Sequence, residues 1–196
     1  MSDNIFFDLN DLKYCGEDVI IGKTVRIRRP ELVSIDDGTI IDDFTYISGE
    51  VEIGQYVHIG SCCTLQGSES KISIGNFVGI ASGVRIFACS SDFIDSSMEL
   101  PSIPKDQRFG GTKAKISIDN FCIIGANSVV LPGAKIPQGF SAGVNSKLTR
   151  HLNYREWHFL TDDQAGTLIR RLNSKKLIEA AKRINGISSN IELNDK

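Results

Sequence analysis

The chain has 196 residues, 41% of them hydrophobic, and five prolines, which suits one compact domain and argues against disorder. A formal charge of −2 gives no electrostatic case for nucleic acid. No apolar run approaches membrane-spanning length, and the opening MSDNIFFDLN lacks both a basic and an apolar leader region, so a cytoplasmic protein without membrane insertion is expected.

Residues 1–16, MSDNIFFDLNDLKYCG, are amphipathic and read as a cap over the end of a body spanning 17–150. That body is periodic. From Ile35 an aliphatic residue returns every six positions in IDDGTI, IDDFTY and ISGEVE, and again from Ile53 in IGQYVH, IGSCCT and LQGSES. IGNFVG and IASGVR follow from Ile74, with Ile86 opening the next hexad; after a break come IDNFCI, IGANSV and VLPGAK from Ile118, then IPQGFS and AGVNSK from Ile136. Three hexads make a unit of 18, the distance from Ile35 to Ile53 and from Ile118 to Ile136. Ile53 to Ile74 is 21, one unit plus a three-residue bulge around 68–71. Ile74 to Ile118 is 44, one unit plus 26, which places an insertion at 88–113 and lets the coil continue beyond it.

Each hexad predicts a short strand and a turn. Its first residue points inward and is large; its fifth points inward and is small or β-branched, as in Val57, Cys63, Val78, Val84, Cys122 and Ser128. The second is often Gly or Asp, as a turn requires. Three such edges per turn make a triangular prism whose coils stack, a mainly β architecture. A period of 3.6 cannot hold every sixth residue on one face. The five cysteines form no CxxC and lie near no His at metal-ligand spacing, so free thiols and no metal are expected, with Cys63 and Cys122 in the core.

Residues 151–196 read as a helical extension and tail. Thr161-Asp162-Asp163 suits a helix N-cap with first-turn acids, and Leu168, Ile169, Leu172, Leu177, Ile178 and Ala181 follow at helical spacing up to Gly186. The accompanying Lys/Arg run reads as a solvated face. His151 and His158 lie beyond the last hexad, as packing or capping residues.

The hexapeptide pattern resembles that of the left-handed parallel β-helix acyltransferases over roughly residues 17–150. IGNFVGIASGVRIF, a loop, then ISIDNFCIIGANSVVLPGAKI is similar to the O-acetyltransferases of bacterial polysaccharide biosynthesis and, more distantly, to the galactoside and maltose acetyltransferases. The resemblance implies acetyl-CoA as co-substrate, a sugar or nucleotide-sugar acceptor, and a homotrimer in which the inserted loop meets a neighbouring subunit. Transfer to a sugar hydroxyl is expected, with transfer to an amino sugar, or a non-catalytic sugar-binding scaffold, as alternatives. A γ-class carbonic anhydrase would need three converging histidines, and the coils carry one.

Acyl transfer needs a base and donors for the oxyanion. Where the galactoside and maltose enzymes place a Thr-His-Pro base, this chain has Ser90-Ser91-Asp92. His58 is the substitute: it ends its hexad facing outward, with Ile40 below and Gly79 leaving space above, and its VHI segment resembles that of the polysaccharide enzymes. Asp92 either orients His58 or binds a substrate hydroxyl. Ser91, Phe93, Arg85 and Arg108 are candidates for the acceptor, the arginines for a phosphate. The resemblance assigns Ala126 and Val144 to backbone contacts with the pantetheine arm, and Thr149-Arg150 to a CoA phosphate. Relatives continue with a Gly-Asn-Pro-Ala-Lys-type segment where this chain reads HFLTDDQAG.

Overall fold

The computed structural model describes residues 4–94, 97–161, 166–171 and 174–185. The chain winds into a parallel β-helix with three faces. The first holds Tyr14–Cys15, Val33–Ile35, Ile116–Ile118 and Lys135–Ile136, together with the second halves of Tyr46–Ile53 and Thr64–Ile74. On the second face Ile20–Ile21, Ile40–Ile41, His58–Ile59, Gly79–Ile80, Ile123–Ile124, Ser141–Ala142 and His158–Leu160 pair in succession. The third stacks Arg26–Ile27, the first halves of the two long strands, Arg85–Phe87, Val129–Val130 and Lys147–Leu148.

Register follows the hexads. Ile35 pairs with Ile53, Ile53 with Ile74 and Ile74 with Ile118, so both length anomalies are absorbed without shifting an inward residue. Every hexad-opening residue from Ile35 to Leu148 is buried, and so are Val57, Cys63, Val78, Val84, Cys122 and Ser128 at fifth positions. Polar side chains at that position are satisfied by the next coil: Thr39 Oγ1 donates to Gly54 O at 2.8 Å, Thr45 Oγ1 to Gly60 O and Ser128 Oγ to Gly143 O, each at 3.1 Å. The Cys122 thiol donates to Pro137 O at 3.1 Å, and burial pushes its pKa up to about 12.

The turns differ from expectation in one respect. The left-handed backbone falls on the fourth residue of the hexad, not the second: Gly38, Phe44, Tyr56, Cys62, Phe77, Gly83, Phe121, Asn127, Gly133, Gly139 and Asn145 all have φ between 57° and 82° or close to it, Tyr56 lowest at 53°. Glycine at the second position serves close approach instead. A Cβ on Gly125 would lie 2.5 Å from the carbonyl of Gly143 in the adjoining coil. Three of the non-glycine residues that bear the left-handed turn are held by stacking on one another. Tyr56, Phe77 and Phe121 stack with centroids 5.3 Å apart, and Trp157 continues the column at 5.8 Å from Phe121.

The ends are closed. Leu12 is buried against the first coil, while Asn4 Nδ2 donates to the carbonyls of Gly22 and Val25. At the other end the helical expectation needs correction: Leu168–Arg170 is a strand antiparallel to His158–Leu160, and the helix is Ser174–Asn185. Thr161 closes that hairpin, its Oγ1 accepting from Thr167 N at 2.9 Å. The last coil would otherwise leave an open edge, and pairing that edge outweighs helical spacing. Ile178 and Ala181 bury the helix against Phe121, beside Phe77 and Trp157. Asp162, Asp163, Leu172 and Gly186 lie outside the described residues.

Gly125→Ala should cost about 1–3 kcal/mol in urea denaturation because backbone must move. Gly79→Ala should be near neutral, since the closest atom to its added Cβ is 4.0 Å away. Alkylation of the folded protein at mildly alkaline pH, followed by mass spectrometry, should mark exposed Cys62 and spare buried Cys63 and Cys122.

Candidate active site

Apart from Arg85, the residues singled out from sequence lie at or beside two corners of the prism. Between the second and third faces, Asp43, Ser61, Ser82, Ala126 and Val144 occupy equivalent positions on successive coils, joined by turn hydrogen bonds such as Asn127 N to Ser82 O and Asn145 N to Ala126 O. His58 lies on the second face, paired with Ile40 below and Gly79 above, as its hexad position requires. Its Nε2 is 2.9 Å from Asp42 Oδ2, with both side chains about half exposed. Within the chain, the imidazole's carboxylate is Asp42. Ile40 and Asp42 are two apart on one strand and its exit, so both point outward, and His58 above leans across to the second.

The other corner, between the third and first faces, carries the inserted loop. Cys89–Ser90 and Thr112–Lys113 zip its two ends as an antiparallel pair. Beneath it lies a cavity of about 240 Å³ lined by Ser90, Ser91, Glu69, Glu99, Arg108 and Lys113, among others. A second cavity, of about 250 Å³, shares Ser90 and Thr112 with the first and reaches Phe93, Thr149, Arg150 and His151. A third, of about 500 Å³, extends from Arg150 past Lys135 to Tyr154. Ser91, Phe93, Arg108, Thr149 and Arg150 are thus brought together, and Asp92 sits among them with its Oδ1 accepting from Ile94 N at 2.9 Å.

Two arginines behave differently from expectation. Arg108 donates through Nε to Ile103 O at 2.7 Å and through Nη2 to Pro101 O at 2.8 Å, so its guanidinium staples the loop. Arg85 is exposed on the outer side of the third face, its Nη1 donating to Gly83 O at 3.2 Å, and it lines none of these cavities. Glu69, Glu99 and Lys113 were not anticipated. Lys113 Nζ stands 3.0 Å from Glu69 and 3.3 Å from Glu99; these hydrogen bonds raise the Lys113 pKa, and the one to Lys113 lowers that of Glu69. The signal for Glu69 was its place in the bulge, directly below the insertion. Among the described residues no cluster of three metal-ligating side chains forms, and no helix is long and apolar enough to cross a membrane.

The family model described as "Bacterial transferase hexapeptide (six repeats)" matches residues 33–67. No curated protein matches in sequence. Among solved structures, the N-acyltransferase AntD from Bacillus cereus, bound to dTDP-4-amino-4,6-dideoxyglucose and coenzyme A, is 27% identical over 94% of this chain and 100% of its own, with a TM-score of 0.80. AntD with dTDP and 3-hydroxybutyryl-CoA is 26% identical over 95% and 100%, with a TM-score of 0.79. Some AntD structures replace one serine, others one aspartate ten residues further along. A maltose O-acetyltransferase from Clostridium difficile, 14% identical over 84% of this chain and 72% of its own, shares the fold with a TM-score of 0.53. In repeat, coils and a likeness running nearly end to end, the chain is similar to the β-helical acyltransferases of the hexapeptide-repeat kind.

Proposed function

We propose that the protein transfers an acyl group from an acyl-CoA to a nucleotide-linked sugar, with an amino sugar as the favoured acceptor. The observation that carries this reading is the likeness to AntD over 94% of the chain, since AntD holds both coenzyme A and a dTDP-amino sugar. Transfer to a sugar hydroxyl in surface polysaccharide synthesis is the second reading, favoured by the resemblance of the IGNFVGIASGVRIF and VHI segments to polysaccharide O-acetyltransferases.

In the mechanism, His58 Nε2–H donates to Asp42, which leaves Nδ1 to accept a proton from the acceptor. The acceptor nitrogen or oxygen attacks the thioester carbonyl; a new C–N or C–O bond forms, the C–S bond breaks, and the thiolate takes up the proton. Thr149 and Arg150 bind a CoA phosphate beside the loop, with Ala126 and Val144 lining the pantetheine path.

The His58 corner and the loop corner lie on opposite sides of the third face, so one chain holds two half-sites. A closed three-fold assembly in which the loop of one copy meets the His58 face of the next joins them. Exposed apolar groups stand at both places: Phe93 and Ile94 at the loop, 91% and 98% exposed, and Ile40 and Ile123 on either side of His58. A cytoplasmic location fits these soluble substrates.

Purified protein given acyl-CoA and a panel of dTDP-linked sugars should add an acyl mass to the 4-amino sugars. Acylation of hydroxyl sugars alone would move the assignment to the second reading, and absence of both turnover and CoA binding would leave a scaffold. His58→Ala should lower kcat by about 10²–10⁴-fold. Asp42→Asn should lower it less and displace the pH–rate profile. A His58→Ala protein at full rate would place the base elsewhere. Arg150→Ala should raise KM for acyl-CoA by about tenfold and leave that for the sugar unchanged.

A further inference from the structure

The three-residue bulge and the inserted loop leave the prism at the same corner on adjacent coils. Pairing runs Gly49 to Ser68 and then jumps to Glu50 with Lys71, so Glu69 and Ser70 have no partner on the coil below. The bulge is held firmly. A Cβ on Gly49 would meet the backbone of Ser68, and one on Gly67 the backbone of Glu50, each within 3 Å. From this base Glu69 reaches upward, 3.0 Å to Lys113 on the loop's closing strand and 3.9 Å to Arg108. Lys113 in turn holds Glu99 from the middle of the loop at 3.3 Å. Two carboxylates and two cations thus compensate one another around the cavity of about 240 Å³. Between them the wall offers Gln66, Ser91 and Thr112, a set of neutral donors and acceptors. Such a wall suits a hydroxylated ring better than a phosphate, whose charge finds Arg150 and Lys135 lining a separate cavity.

We propose that Glu69 is a positioning residue: carried on the bulge, it holds the inserted loop through Lys113 as the roof of a charge-compensated pocket for the acceptor's sugar ring. This rests on the acyl-transfer reading above. The bulge and the loop are then one device, since the bulge supplies the fixed anchor that an insertion of this length lacks by itself.

The test uses the full chain as Glu69→Gln, Lys113→Gln and the double variant. Amide hydrogen exchange over 97–113 reads the hold without ligand; steady-state kinetics with acyl-CoA and a nucleotide sugar read the site. Each single variant should exchange faster over 97–113 and raise KM for the sugar by about tenfold, with KM for acyl-CoA within about twofold of wild type. The double variant should be no worse than either single. Unchanged exchange, additive effects, or an equal rise in both KM values would overturn the assignment. Should wild type acylate no sugar, the functional reading and the pocket's ligand fall together, while the exchange measurement still decides whether Glu69 holds the loop.

Discussion

Everything in this molecule depends on coil-to-coil register. Each coil's outward carbonyls receive backbone N–H groups from the coil beside it, as in Ile40 N to Val57 O and His58 N to Val78 O. Slipping a strand by one residue would turn a whole row of aliphatic side chains to solvent. The inward positions are therefore locked to one another, and any extra chain must leave at a corner. That is why 26 inserted residues do not disturb the pairing of Ile74 with Ile118, and why the bulge before Ile74 returns to register at Ile72 with Val51.

Register also arranges the chemistry. A column of equivalent positions forms a straight line along the axis, so the proposed base on one coil and the proposed backbone contacts two coils higher lie along the same side of the prism with no folding back of the chain. Small residues line that side: Gly79 leaves space above His58, and Ser61, Ser82 and Ala126 follow along the neighbouring corner. The loop corner is its opposite in design. There side chains are long and charged, and they hold one another in place.

Much of this was legible in the sequence because one period governed it. The hexads, the 21-residue coil, the 26 extra residues between Ile74 and Ile118 and the core thiols Cys63 and Cys122 all follow from spacing, and the structure has each of them. What escaped spacing was lateral. Asp42 was missed because His58 was compared only with the residues directly below and above it, Ile40 and Gly79, while its partner sits two residues along the lower strand. The left-handed position was misassigned because glycine at the second place of the hexad looks like turn chemistry, although it marks close approach. Leu168 and Ile169 carry helical spacing equally well as strand spacing, and only the open edge of the last coil decides between them.

The third corner explains how the other two can be given over to function. Between the first and second faces the turn residues Tyr56, Phe77, Phe121 and Trp157 form one aromatic column, each stacked pair contributing about 0.5–1.5 kcal/mol beyond its burial. Arg171 fastens the top of it: Nη1 donates to the carbonyls of Phe121 and Gly139 at 2.9 and 2.6 Å, while the guanidinium lies over the Trp157 ring at 6.0 Å. Burial lowers its pKa, yet a guanidinium keeps its charge, so the clamp holds throughout the range in which an acyltransferase works. The terminal helix then covers Phe121 with Ile178 and Ala181. Stability is concentrated away from both proposed half-sites. A corner built of glycine, serine and alanine, and another opened by a long insertion, both forgo apolar contact, and an in-register prism lets the aromatic corner compensate for them because every coil is tied to all three.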